Sequence, residues 1–283
     1  MQAKAAIEIR LLFESDIPAA MRLKEAAGWN QTEDDWRRLL LLEADGCFGA
    51  VKDGRLVGTI TTTTYGRDLA WIGMVLVDPQ ERRQGIATTL MNVALDYLDG
   101  KVATVKLDAT PQGKPVYEKF GFRVESLVER WVGTGSSREH NMEVIDDDVV
   151  RDVLVLDQLA FNADRSKLIE HLIRNASVTP VLSRAADGTL SGYALARSGT
   201  NADYIGPAVA KDPLQVEDLL DQVLNQLDGR RVYIDFNTEC SAGTSVLSKR
   251  GFVKERDLIR MSIGKPGKKT SPLVVAIAGP EVG

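Results

Sequence analysis

The sequence predicts an α/β (α+β) protein built from two similar units in tandem. Three observations carry this. First, an apolar run of strand length, Trp71–Val77, leads through a short loop into a helical stripe. In that stripe Ala87, Leu90, Met91, Ala94, Leu95 and Leu98 recur at i, i+3, i+4, i+7, i+8 and i+11. Second, the stripe returns as Val216, Leu219, Leu220, Val223, Leu224 and Leu227, displaced by 129 residues. Third, 283 residues are enough for two domains of ordinary size.

Taken in order, residues 6–13 read as a strand. A helix follows, with Ser15 or Asp16 as N-cap, Pro18 in its first turn and Gly28 at its end. Thr32 caps a second helix, 33–42. Residues 47–51 and 56–65 form a hairpin turning at Asp53-Gly54. After the strand 71–77 and the helix 87–98 come a strand at 102–108, a short helix between Gln112 and Gly121, and a closing strand at 123–132. Residues 133–140, small and polar, are the expected linker. The order then restarts: helices at 152–159 and 166–173, and a hairpin of 180–184 with 190–197 around Asp187-Gly188. A strand 204–210, a helix 214–227, a strand 232–236, a short helix 243–250 and a final strand 253–262 complete the second unit. The apolar run 273–278 reads as one more strand.

Composition narrows the function. Hydrophobic content of 44% and charged content of 27% describe a soluble globular chain. A net charge of −5 offers no basic field for nucleic acid. No apolar run approaches the ~20 residues of a membrane span, and the charged N-terminal residues do not resemble an export signal, so a cytoplasmic protein is expected. Cys47 and Cys240 have neither metal nor redox spacing, and His140 and His171 are too few for a histidine site, so no metal is expected.

The loop between the first strand and helix, Arg82-Arg83-Gln84-Gly85-Ile86-Ala87, places a glycine at a helix start, where unpaired backbone N–H groups converge on an anion. The repeat changes here. Nine residues separate Val77 from Ala87, but five separate Ala210 from Val216; Leu214 stands opposite Gly85 and Pro213 opposite Gln84. Farther on Gly251-Phe252 repeats Gly121-Phe122, while Leu247 stands opposite Tyr117.

The loop resembles the [QR]-x-x-G-x-[GA] pyrophosphate signature of the GNAT superfamily of acyl-CoA-dependent N-acyltransferases, with Arg82, Gly85 and Ala87 on its specified positions. Residues 113–122, G-K-P-V-Y-E-K-F-G-F, resemble its second signature, whose tyrosine is Tyr117. The motifs A-G-W-N-Q-T-x-x-D-W, W-I-G-M-V-L-V, L-D-A-T-P-x-G and A-I-A-G-P-E-V-G look like the bacterial tandem-GNAT proteins of the YitH type.

The resemblance implies two tandem GNAT-type domains, each a mixed, mainly antiparallel sheet with helices on both faces. Residues 1–135 would bind acetyl-CoA and catalyse; residues 144–283 would be a degenerate, non-catalytic copy. It implies acetyl transfer to a small-molecule or peptide amine by direct attack, with Tyr117 as general acid, in a monomer or homodimer. Val75, Leu76 and Val77 would pair with the pantetheine arm. Arg82, Arg83, Gln84, Gly85, Ile86, Ala87 and Thr88 would hold the pyrophosphate, with Thr110 and Gly113 nearby. Thr110 replaces an asparagine common in relatives. Trp29, Asn30 and Trp71 would flank the acceptor. No glutamate stands on the strand 71–77, which leaves Asp34, Asp35, Asp108 or water as the base. A non-catalytic acyl-CoA sensor and a mycothiol-synthase-like enzyme with a specialised small acceptor remain as alternatives.

Overall fold

The computed structural model describes residues 6–136, 145–265 and 269–283. His140 lies outside the described residues. In the first unit β1 (Ile7–Leu11) precedes α1 (Ile17–Ala26) and α2 (Glu33–Glu43). Then come β2 (Cys47–Lys52), β3 (Arg55–Tyr65), β4 (Leu69–Val77), α3 (Ile86–Leu98), β5 (Thr104–Ala109), α4 (Lys114–Glu118) and β6 (Arg123–Thr134). The second unit has α5 (Asp147–Phe161), α6 (Ser166–Arg174), β7 (Val181–Arg184), β8 (Leu190–Arg197), β9 (Asp203–Ala210) and α7 (Gln215–Asn225). It ends with β10 (Arg231–Asn237), α8 (Ser245–Ser248), β11 (Val253–Gly264) and β12 (Val274–Ala276).

The twelve strands of the described residues form one sheet, in the order β1-β2-β3-β4-β5-β11-β6-β10-β12-β9-β8-β7. The closing strands have changed places. β11 pairs with β5 of the first unit, and β6 pairs with β10 of the second, while β6 and β11 run antiparallel to each other. The expectation that each closing strand completes its own unit is therefore corrected. A strand that is apolar on alternate positions satisfies either edge equally.

The expected linker also starts later. Gly133 and Thr134 are still in β6, paired with Val232 and Arg231, and Gly135 bridges to Asp228. α5 begins earlier than expected, at Asp147, because Asp146 caps it by accepting from the Val149 N–H.

Strand alternation divides the core into two layers. On one face Leu69, Trp71, Tyr193 and Leu195 pack with α1, α2, α5 and α6 in a single apolar layer spanning both units. On the other, Ala70, Ile72 and Ile60 meet α3, while Ala194, Ile205 and Ile234 meet α7 and α8.

Candidate active site

β4 and β5 are neighbours for only three residue pairs, Leu69–Thr104, Ala70–Val105 and Trp71–Lys106. Beyond Trp71 the strands diverge. The β3–β4 register slips between Thr59 and Thr61, and Met74 takes φ +48°, so an irregularity in β4 accompanies its bend away from β5. A cleft opens between them. Its walls include Gly73, Met74 and Val75 of β4, Leu107 and Asp108 of β5, Thr110, and Tyr117 of α4.

At the far end of β4, Gly85 has φ +86° and serves as the N-cap of α3; its carbonyl accepts from the Thr89 N–H at 2.9 Å. The N–H groups of Ile86, Ala87 and Thr88 therefore have no partner within the helix. A Cβ built on Gly85 would meet nothing within 4 Å, so the approach to these donors is open. Arg83 is also left-handed, with φ +62°. The loop is braced from below: the Gln84 amide donates to Glu81 at 2.8 Å, and Lys52 pairs with Glu81 at 2.7 Å. Glu81 gave no sequence signal, because its partner Lys52 lies 29 residues away, at the end of β2. These residues fit the pyrophosphate of acyl-CoA, and the divergent strands fit its pantetheine arm.

In the second unit both features are filled. The carboxylate of Asp212 accepts from the Leu214 N–H at 2.9 Å, and residue 214 at the helix start is right-handed, with φ −67°. β9 and β10 pair directly at Asp203–Ile205 with Val232–Ile234. Where they would diverge, β12 lies between them, pairing Val274 with Val209 and Ala276 with Phe236.

The chain then runs on to the first unit's cleft. Trp71 donates its indole N–H to Pro280 O at 3.0 Å, and Tyr65 donates to Val282 O at 2.7 Å. Gly73 is needed at this crossing, since a Cβ there would lie 2.6 Å from Glu281 O. The Glu281 carboxylate is buried; it accepts from Gln31 at 2.8 Å and pairs with Arg197 at 3.2 Å and Arg38 at 3.5 Å. Asp35 pairs with the same two arginines, at 3.1 Å for Arg197. Burial pushes its carboxyl up, but Arg38 and Arg197 outweigh that and hold it down at about 2.

Opposite this segment the cleft is lined by Trp29 and Gln31 of the α1–α2 loop, Arg130 of β6, and Arg256 and Leu258 of β11. Of the expected acceptor residues, Trp29 is on this wall. Asn30 is buried as a strut instead: its amide donates to Ala202 O at 3.0 Å and accepts from the N–H groups of Asn201 and Ala202. Trp71 is buried against Phe161 and beneath Arg260.

Thr110 closes the turn ahead of α4, its hydroxyl accepting from the N–H of the N-cap residue Gly113 at 3.1 Å. The half-buried Tyr117 ring packs edge-on against Phe122 at 6.2 Å. Burial pushes its phenol up to about 12. Among the candidate bases, Asp34 is exposed and pairs with Arg37. Asp108 lies on the cleft wall, and burial raises its pKa although Arg260 grips both oxygens at 2.9 and 2.8 Å. Glu281 and Arg256 were missed by sequence reasoning, as nothing near either in the chain marks it as facing the cleft.

Residues 12–122 match the model of the GNAT acetyltransferase family, and residues 153–272 match that of an acetyltransferase (GNAT) domain. The chain is 28% identical over 260 residues to the uncharacterised N-acetyltransferase YitH of Bacillus subtilis (strain 168), covering 88% of each. A crystal structure from Pyrococcus horikoshii, described as an acetyltransferase, superposes with a TM-score of 0.83 at 24% identity, covering 100% of this chain and 99% of that one. A tandem GNAT protein from the clavulanic acid biosynthesis pathway gives 0.65 at 16% identity, over 93% and 100%. With a GNAT domain in each half, on one shared sheet, the chain belongs to the GNAT acyltransferases as a tandem-GNAT protein of the YitH type.

Proposed function

We propose that the first unit, residues 1–135, transfers an acetyl group from acetyl-CoA to an amine by direct attack, and that the second, residues 144–283, binds no acyl-CoA. The observation that carries this is the line joining the open N-terminus of α3 to the β4–β5 cleft, which ends at Tyr117. Val75, Leu76 and Val77 would present backbone groups to the pantetheine arm, and the N–H groups of Ile86–Thr88, with Arg82 and Arg83, would hold the pyrophosphate. In the second unit Asp212 and β12 stand in those places.

The amine nitrogen attacks the thioester carbonyl carbon; the C–N bond forms and the C–S bond breaks. A phenol near 12 is fully protonated at neutral pH, so the donor for the departing sulfur is always present. Full proton transfer to a thiolate of ordinary pKa, about 8.5, is uphill from such a phenol. Stabilising the developing negative charge by a hydrogen bond is therefore the larger part of the Tyr117 role, and solvent restores any proton given up.

Tyr117→Phe should leave the acetyl-CoA Kd within about 2-fold and lower kcat by roughly 10²-fold or more in an acetyl-CoA consumption assay over an amine panel. Unchanged turnover would remove Tyr117 from the reaction. Acetyl-CoA binding with no turnover of any amine would instead make the protein an acyl-CoA sensor.

On the cleft wall, Asp108 is the base we assign to the proton lost by the amine, although Arg260 holds both its oxygens. A base acts only when ionised, and burial raises the pKa of this one. The activity should therefore fall on the acid side at a pH above the ordinary carboxylate value of about 3.9. Asp108→Asn should be slower and lack that limb; an identical pH–rate profile would point to water as the acceptor of the proton.

A further inference from the structure

β11, the strand that the second unit inserts beside β5, carries Arg256 into the acceptor side of the cleft. Arg256 lies directly opposite Arg130 across the β6–β11 ladder. Two guanidinium groups facing each other on one sheet surface repel, and such a pair persists where each has an anion. Arg130 has one. Its Nε and Nη2 donate to the two oxygens of Asp235 at 2.7 and 2.6 Å.

Arg256 has no such contact: among the described residues it makes no hydrogen bond or ion pair, and its Nε is buried without an acceptor. A buried, unmatched donor is costly, and a charged one more so. Burial and the neighbouring Arg130 push its pKa down, and Asp235 and Glu255, which pull it up, do not outweigh them. The site is on the face of the sheet where Trp29, Gln31 and Pro280 close the cleft, and Tyr117 and Asp108 line the same cavity.

We propose that Arg256 receives an anionic group of the acceptor, so that the substrate class is an amine that also bears a carboxylate or a comparable oxyanion. The planar fork of a guanidinium matches two oxygens of such a group, and the incoming charge supplies what Asp235 supplies to Arg130. The second unit, which has its own groove filled, then serves the first by contributing a specificity-determining side chain.

This inference rests on the acetyl-transfer reading, and the test separates the two. The full-length protein is assayed with acetyl-CoA against α- and ω-amino acids, aminoalkyl phosphates, and the carboxamides matching each amino acid. Carboxylate or phosphate acceptors should be used and their neutral partners used poorly, the two arms showing which oxyanion is preferred. Arg256→Ala should raise KM for the best anionic acceptor by roughly 10–100-fold. Its kcat, its KM for the neutral partner and its acetyl-CoA Kd should stay within about 3-fold, and Arg256→Lys should fall between. Equal use of charged and neutral acceptors, or an equal loss on both in Arg256→Ala, would overturn the proposal.

If no amine is acetylated, the acetyl-transfer reading fails on its own. The Arg256 site is then read by calorimetric titration of the same amino acids into the CoA complex. Binding that Arg256→Ala abolishes supports the site, and absence of such binding overturns it.

Discussion

Gly85→Asp should reduce acetyl-CoA affinity by more than about 100-fold while leaving the protein folded. The side chain has room, since a Cβ at residue 85 meets nothing within 4 Å. The backbone is the first cost: φ +86° strains any residue with a Cβ by roughly 1–2 kcal/mol, and aspartate is among those that tolerate it best. The charge is the larger effect. A carboxylate at the start of α3 can accept from the N–H groups of the first turn, so the variant's helix is capped by its own acid. An incoming pyrophosphate then loses its donors and meets a like charge. Each charge-assisted hydrogen bond is worth about 1.5–3 kcal/mol, and two of them exceed two decades in Kd. Gly85→Ala, with the strain alone, should lose only about 5–30-fold. Calorimetry on the parent should give one acetyl-CoA per chain, and on Gly85→Asp none. A second equivalent site would show that Asp212 and β12 do not close the second unit, and unchanged affinity would place the pyrophosphate elsewhere.

This contrast between the two helix starts was legible in the sequence because it is local. Gly85 and its counterpart Leu214, and the loop shortened around Pro213, are differences along the chain. The helical stripes of α3 and α7 were legible for the same reason: a periodic apolar face records burial whatever lies above it. The exchange of β6 and β11 was not, because the alternation of each strand fits its own sheet or its neighbour's. β12 illustrates a further limit. Its apolar run was visible, but three residues do not specify which gap they fill. The acceptor wall was least legible of all. Arg256 comes from the far unit, and Glu281 is 250 residues from the Gln31 amide that it accepts from.

Arg197→Met should destabilise the protein by about 3–5 kcal/mol, the cost of leaving a buried charge without its partner. Arg197 is itself buried and lies at the junction of both units. It pairs with Asp35 from α2 at 3.1 Å and with Glu281 at 3.2 Å, and donates to Ala278 O at 2.7 Å. Methionine fills similar volume without supplying charge, so Arg38 is left to serve two buried carboxylates. The sign of the pH dependence follows from Asp35. Its folded pKa, about 2, is below the unfolded value of about 3.9, so its contribution is complete above pH 4 and is lost as pH falls toward 2. Without Arg197 the burial that raises this pKa is less opposed, and acid unfolding should begin at a higher pH than in the parent. Asp35→Asn added to Arg197→Met should recover part of the loss, because one stranded charge is removed. Urea unfolding at pH 7 and at pH 4 measures both effects; a variant as stable as the parent would show that the cluster is not a strut. Glu281 also backs the cleft against Gly73, so loosening it should raise the acceptor KM more than the acetyl-CoA Kd. Arg197 and the three charges around it thus tie the fit of the acceptor to the joining of the two units.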